Sequence, residues 1–227
     1  MVRLPYLFLL LSLIYCDVSN AQIKSKDGTL SLFDGKSLSG WRKADRDTAP
    51  DRAWLVENGE LHFDPTIGHG GDIVTTRSFK NFDLSVDFKV SDAGNSGIKY
   101  RLLPNTSLGC EFQLIDDSKH PDAKLGVNGN RKTGALYDIF PPDPNKPYKP
   151  AGQWNTARIV VKGDHVEHWL NGVKILEYTR GSEQFKQAVA ASKFKNTKGF
   201  AQAESSPILL QAHGDKVAYK NIKIKEL

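Results

Sequence analysis

The chain has 227 residues, 31 of them Lys or Arg against 26 Asp or Glu, for a net charge of +5, and only two cysteines. That is length enough for a hydrophobic core and too few cysteines for a disulfide scaffold. The lysines are scattered and thicken only in "KVAYKNIKIKEL", with no basic stripe interleaved with aromatics, so the composition points to a solvated basic surface and away from nucleic acid.

The chain opens on "MVR", the apolar run "LPYLFLLLSLIYC" and "SNAQ", the pattern of a secretory signal at residues 1–21 cleaved after Ala21. The run is too short for a comfortable integral membrane span. Lipid attachment at Cys16 is the competing reading, against which Tyr15 is bulky where a lipoprotein signal takes a small residue. Cleavage leaves residues 22–227 as a single domain whose sole cysteine, Cys110, can form no internal disulfide, so stability must come from the core.

Short alternating or apolar runs then follow one another, bounded by Gly, Asn, Asp and Pro: "LSLF", "AWLVENGELHF", "DIVTTRSF", "FDLSVDFKV", "SGIKYRLL", "CEFQLID", "GALYDIF", "TARIVVKG", "HVEHWL", "VKILEY", "PILLQAHG" and "AYKNIKIK". A dozen such segments without a βαβ rhythm predict an all-β sandwich of two antiparallel sheets. Turn chemistry predicts hairpins at Asn58-Gly59, Gly163-Asp164 and Asn171-Gly172, which makes neighbours of three strands between Ala157 and Tyr178. One surface helix is expected over Ser182–Phe194, capped by Ser182. The loop Phe140–Trp154, with five prolines, reads equally as a site wall or as a wrapped edge.

Alternation also gathers polar residues on strand faces. In "GCEFQLIDD" Glu111 and Gln113 share a face opposite Phe112 and Leu114. Lys99 and Arg101 share one in "NSGIKYR", and Gln211 and His213 share one in "ILLQAHG". If these strands are neighbours, they form a polar floor on an apolar backing. An antiparallel sheet with one solvated face explains such polarity without a site. Acid, amide, cation and imidazole side by side nevertheless suit sugar hydroxyls better than the Lys, Glu, Thr and Ser of an ordinary wet face. Trp41, Trp54, Tyr137, Trp154 and Trp169 are candidate stacking platforms, although a lone Trp more often serves a core. His165 and His168 lie three apart on one strand and point to opposite faces, so they cannot share a metal from that strand. No HExxH, carboxylate-rich calcium loop, nucleophile elbow or phosphate-binding glycine loop is present. No cofactor is indicated; a divalent metal held by distant residues stays open.

The stretches "LFDGKSLSGW", "NSGIKYR", "GCEFQLIDD", "GALYDIF", "GQWNTARIVVKGDHVEHWLNG", "SKFKNTKGFA" and "ILLQAHGDKVAYKNIKIKEL" together resemble the 3-keto-disaccharide hydrolase, or 3-keto-glucoside 1,2-lyase/hydratase, family, in order from about Leu30 to Leu227. The resemblance implies a concanavalin A-like jelly roll, export to the periplasm or cell surface, and action on glycosides oxidised at the third carbon of the sugar. One departure is Ala212, where the family usually carries an acid between Gln and His. A 3-keto sugar has an acidified hydrogen on carbon 2, so a base can remove it, the enolate can expel the group on carbon 1, and water can add back. On this reading Glu111 or His213 is the base, and Lys99 or Arg101 faces the developing oxyanion. Gln113, Gln211 and His168 orient the sugar or assist the leaving group, Asn95 and Ser96 shape the rim, and Tyr137 adds a ring. A separate sugar 3-dehydrogenase is expected upstream, since no dinucleotide fingerprint occurs here. The alternative is a non-catalytic, lectin-like carbohydrate-binding module. A two-carboxylate glycosidase is a third reading, but Glu111 and Asp116 fall on opposite faces.

Overall fold

The run "FDLSVDFKV" shows how the layers form. In the computed structural model, which describes residues 25–227, Phe82, Leu84, Val86, Phe88 and Val90 are buried and the residues between them half-buried, the period of two that gives a sheet one inner face. The expected signal at 1–21 lies outside the described residues. This strand is central in the larger of two antiparallel sheets. The spatial order is β11 (Val173–Thr179), β10 (His165–Leu170), β9 (Asn155–Lys162), β6 (Phe82–Val90), β13 (Val217–Glu226), β4 (Glu60–Phe63) and β3 (Trp54–Glu57), with β1 (Leu30–Ser31) also on β13. The smaller sheet runs β2 (Trp41–Lys43), β5 (Ile73–Thr75), β12 (Leu209–Leu210), β7 (Asn95–Tyr100) and β8 (Cys110–Ile115). Together they make the jelly-roll sandwich expected from the sequence, around one continuous core to which both sheets contribute, for instance Leu84 and Phe88 from one and Ile98, Phe112 and Leu114 from the other.

The hairpins follow their turn residues. Asn58 and Gly59 (φ 52° and 78°) and Asn171 and Gly172 (φ 47° and 85°) take the paired positive φ that a two-residue turn requires, and β9, β10 and β11 pair in series. The helix α1 occupies Glu183–Ala191, shorter than expected. Ser182 Oγ accepts the Phe185 N–H at its start, and Phe185 is its buried anchor. Among the described residues no helix is long and apolar enough to cross a membrane.

Two expectations need correction, and one strand was not anticipated. "GALYDIF" is not a strand: Leu136 makes isolated bridges to Phe112 and Phe140, and Asp138 sits at φ 61°, which turns the chain. "PILLQAHG" keeps only Leu209 and Leu210 in the sheet, so Gln211 and His213 leave it as a loop. β2 carries no signal strong enough to predict it. The proline-rich loop wraps the sandwich, with Asp143 N–H on Ile175 O, Gly152 N–H on Val90 O and Tyr148 Oη on Ile115 O.

Candidate active site

β7 and β8 are buried along their whole length on both faces, which a solvated sheet face would not be. Their outward side chains include Lys99, Glu111, Gln113 and Asn95, only 8%, 6%, 1% and 3% exposed. Antiparallel register sets Lys99 opposite Glu111 and Gly97 opposite Gln113. Gln211 joins them because its N–H donates to Gly97 O at 2.9 Å just beyond β12. These side chains floor a small cleft.

The floor is a charged network centred on Glu111. Lys99 Nζ lies 3.5 Å from Glu111 Oε2 and also donates to Ser107 O at 3.3 Å. In the amide orientations that match donors to acceptors, Gln113 and Gln211 turn their nitrogens to Glu111 Oε1 at 3.0 and 3.2 Å, and Gln211 turns its oxygen to Lys99 Nζ at 3.0 Å. Gly97 makes room for this arrangement: a Cβ built on it would meet Glu111 Oε1 at 2.3 Å. Burial pushes the Glu111 carboxyl above its usual range, against the pull of Lys99 and Lys193.

The walls come from segments that alternation does not describe. Ser107, Leu108 and Gly109 stand on one side, with Tyr137, Lys193 and Phe194 among the rest. Tyr137 Oη donates to Asp122 Oδ2 at 2.8 Å, and Arg131 ties Asp122 and Asp138 together at 2.7 and 2.6 Å. Asp138 Oδ2 in turn accepts the Lys193 N–H at 2.7 Å. That chain of contacts holds the Lys193 ammonium over the Tyr137 ring at 4.1 Å and the Phe194 ring at 5.1 Å. Its Nζ has no hydrogen bond or ion pair among the described residues, and burial lowers its pKa. Lys193 lies in the quoted "SKFKNTKGFA" and was not singled out: the expected helix ran through it to Phe194, whereas α1 ends at Ala191.

Of the anticipated site residues, Glu111, Gln113, Lys99, Asn95, Gln211, His213 and Tyr137 line the cleft. Three do not. Arg101 sits at φ 51°, past the end of β7, so it does not follow Lys99 onto the floor; its buried guanidinium donates to Ala203 O at 2.9 Å and to Gly163 O. Ser96 alternates inward, where its hydroxyl donates to Gln211 O at 2.7 Å and meets Tyr219 Oη at 2.6 Å. His168 is fully buried on the inner face of the larger sheet, 2.7 Å from Tyr100 Oη and 2.9 Å from Gly134 O. Burial lowers its pKa to about 4, so its neutral ring donates to Gly134 O and accepts from Tyr100. Of the candidate platforms only Tyr137 reaches the cleft: Trp41 and Trp54 are core, and Trp154 and Trp169 are covered by Lys89 and Lys220 and by Arg158. Asp116 caps the turn after β8, accepting N–H groups from Ala93, Ser118 and Lys119, and offers Glu111 no partner carboxylate. Ala212, at the departure from the resemblance, donates its N–H to Asp72 Oδ1 at 2.8 Å.

A buried carboxylate with a raised pKa, two amides and two ammonium groups around one small cleft can move a proton and stabilise an oxyanion beside it. A family profile described as a 3-keto-alpha-glucoside-1,2-lyase-like domain matches residues 28–225. A 3-keto-disaccharide hydrolase of Bacteroides thetaiotaomicron is 36% identical, over 88% of this chain and 79% of that one. A crystal structure from Parabacteroides distasonis, provisionally assigned as a glycosyl hydrolase, superposes with a TM-score of 0.79 at 32% identity, covering 91% of this chain and 99% of the other. A second structure from that organism with the same provisional assignment gives 0.64 at 25% identity, over 88% and 99%.

Proposed function

Because the chain belongs to the 3-keto-alpha-glucoside-1,2-lyase-like family, we propose that this carbohydrate-active enzyme cleaves 3-keto-glycosides by elimination and rehydration. The observation that carries the reading is Glu111, a carboxylate buried in the cleft floor with its pKa raised, as a general base for a carbon acid requires. Glu111 takes the proton from carbon 2, and the electron pair moves onto the ketone oxygen as an enolate. Return of that pair reforms the ketone and makes the double bond between carbons 1 and 2. The group on carbon 1 leaves with its oxygen, which gains a proton. Water then adds its hydroxyl to carbon 1 and a proton to carbon 2, so the net change is hydrolysis.

Lys99 is engaged by Glu111 and Gln211, which leaves Lys193 as the cation to meet the enolate oxygen. Gln113, Gln211 and Asn95 supply hydrogen bonds to sugar hydroxyls, and His213 lines the exposed end of the cleft, where the leaving group departs. The keto group must be installed first, so a separate sugar 3-dehydrogenase acts upstream. The signal-like residues 1–21 support export, which puts the reaction in the periplasm or at the cell surface.

The test is product analysis by NMR in heavy water, with a 3-keto disaccharide and its unoxidised parent. Cleavage of the keto sugar alone, with deuterium entering carbon 2, is expected. Cleavage of the parent sugar, or retention of the original hydrogen in the product, would overturn the mechanism. Binding of both sugars without turnover would favour a lectin-like module.

A further inference from the structure

At one end of the cleft, His120, His213 and Asp215 each offer a ligand atom within 4.8 Å of the others. His120 caps the 3₁₀ turn Pro121–Lys124, while His213 and Asp215 flank Gly214 in the loop after β12. The three converge without bonding to one another. The imidazole rings meet edge to face with centroids 6.2 Å apart, and His120 Nε2 stands 3.9 Å from Asp215 Oδ2, too far for a hydrogen bond. Each loop is nevertheless braced, since Asn95 N–H donates to Asp215 Oδ2 and Asp122 N–H to His120 Nδ1, both at 3.1 Å. The His213 ring has no hydrogen bond or ion pair among the described residues. The lysines next in sequence are turned away, Lys119 pairing with Asp92 and Lys216 with Asp64.

A second cluster, His165, Glu167 and Glu177, is equally compact but is already neutralised. Glu167 accepts from Trp169 Nε1 at 2.8 Å and lies 3.5 Å from Lys174 Nζ, which also pairs with Glu177. Nothing comparable occupies the first cluster. We propose that His120, His213 and Asp215 bind a first-row divalent cation, with its remaining coordination positions open to the cleft. Two imidazoles and one carboxylate are a donor set suited to zinc, cobalt or manganese, and His213 lines the cleft, so sugar oxygens would lie on the open side of the ion. An ion on His120 Nε2 leaves the ring proton on Nδ1, where it faces the Asp122 N–H, so the ring must give up that contact. The site therefore binds reversibly and yields its ion to a chelator. The proposal stands on these three residues and does not depend on the keto-sugar reading.

The test uses tag-free, chelator-treated protein titrated calorimetrically with zinc chloride and, separately, manganese chloride. One ion per chain is expected, zinc the tighter, with binding lost in His213→Ala and Asp215→Asn variants whose circular dichroism matches the parent, and retained in Glu177→Gln. Cobalt added to the unaltered protein is expected to give paramagnetically shifted imidazole proton signals from two histidines. Absence of saturable binding, binding unchanged in both cleft variants, or cobalt signals from no histidine would each overturn it.

Discussion

Gly97→Ala tests whether the position of the Glu111 carboxylate, rather than its mere presence, sets the rate. The new Cβ would stand 2.3 Å from Glu111 Oε1, 2.9 Å from Cδ and 3.0 Å from Cγ. An ordinary nonbonded contact needs about 3.5 Å, so the carboxylate must retreat by roughly 1 Å. Misplacement of a reacting group by that much can cost about 100-fold in rate, or roughly 3 kcal/mol in the barrier. The backbone accepts the change, because Gly97 lies in a strand with no positive φ. Alanine there recovers about 0.5–1 kcal/mol of backbone entropy, which offsets part of the cost of shifting a carboxylate held by Lys99, Gln113 and Gln211. The expected result is a large fall in kcat on a 3-keto glycoside with a melting temperature close to the parent's. In a Glu111→Gln background the same substitution should cost little more, since the two act on one group. A kcat within about threefold of the parent would refute the reasoning, because a displacement of that size should cost far more.

Because burial raises the Glu111 pKa and the base must be ionised, kcat/KM should fall with decreasing pH along a limb centred above the usual carboxylate range, and Glu111→Gln should lose about 100-fold or more at every pH. Lys193→Met is expected to lower kcat by about 100-fold while leaving KM nearly unchanged, with part recovered in Lys193→Arg, as stopped assays on both variants would measure. His168 is neutral in the fold, with a pKa of about 4, so below an unfolded value of about 6.5 the unfolded chain takes up the proton first. Stability should therefore be fully present above that value and fall by roughly 2 kcal/mol by pH 5. Urea denaturation should show this loss in the parent and not in His168→Gln. Arg101→Ala leaves the Ala203 and Gly163 carbonyls without their donor, which should destabilise by about 2 kcal/mol while the folded fraction keeps its specific activity.

Alternation carried the reading as far as regular strand extends. It placed Phe112 and Leu114 in the core, with Glu111 and Gln113 on the other face, while the register that sets Lys99 across from Glu111 came only with the structure. It failed one residue past Tyr100, because the positive φ at Arg101 redirects the side chain. The same rule, applied to Asn95 and Ser96 together, should have sent one of them inward, and the structure sends Ser96. Gln211 and His213 reached the cleft although their segment is not strand, so their common position comes from the loop and not from the pleat. Lys193 was illegible because its place depends on Arg131, Asp138 and Tyr137, contacts distant in sequence that no local pattern reports. His168 shows the converse: a polar residue on a strand was read as a ligand for sugar, yet it serves as an internal brace between Tyr100 and the Gly134 turn.

In β7 and β8 each floor residue has core residues for neighbours: Ile98 stands between Gly97 and Lys99, and Phe112 between Glu111 and Gln113. Inserting or deleting one residue in either strand would exchange the two sets, sending Glu111 into the sandwich and Phe112 into the cleft. These strands are thus closed to changes of length during divergence. Variation in what the protein accepts has to arise in the segments around Ser107–Leu108 and Lys193, which line the cleft from outside the two strands. Lineages descending from this architecture should share a reaction and differ in the shape of the entrance to it.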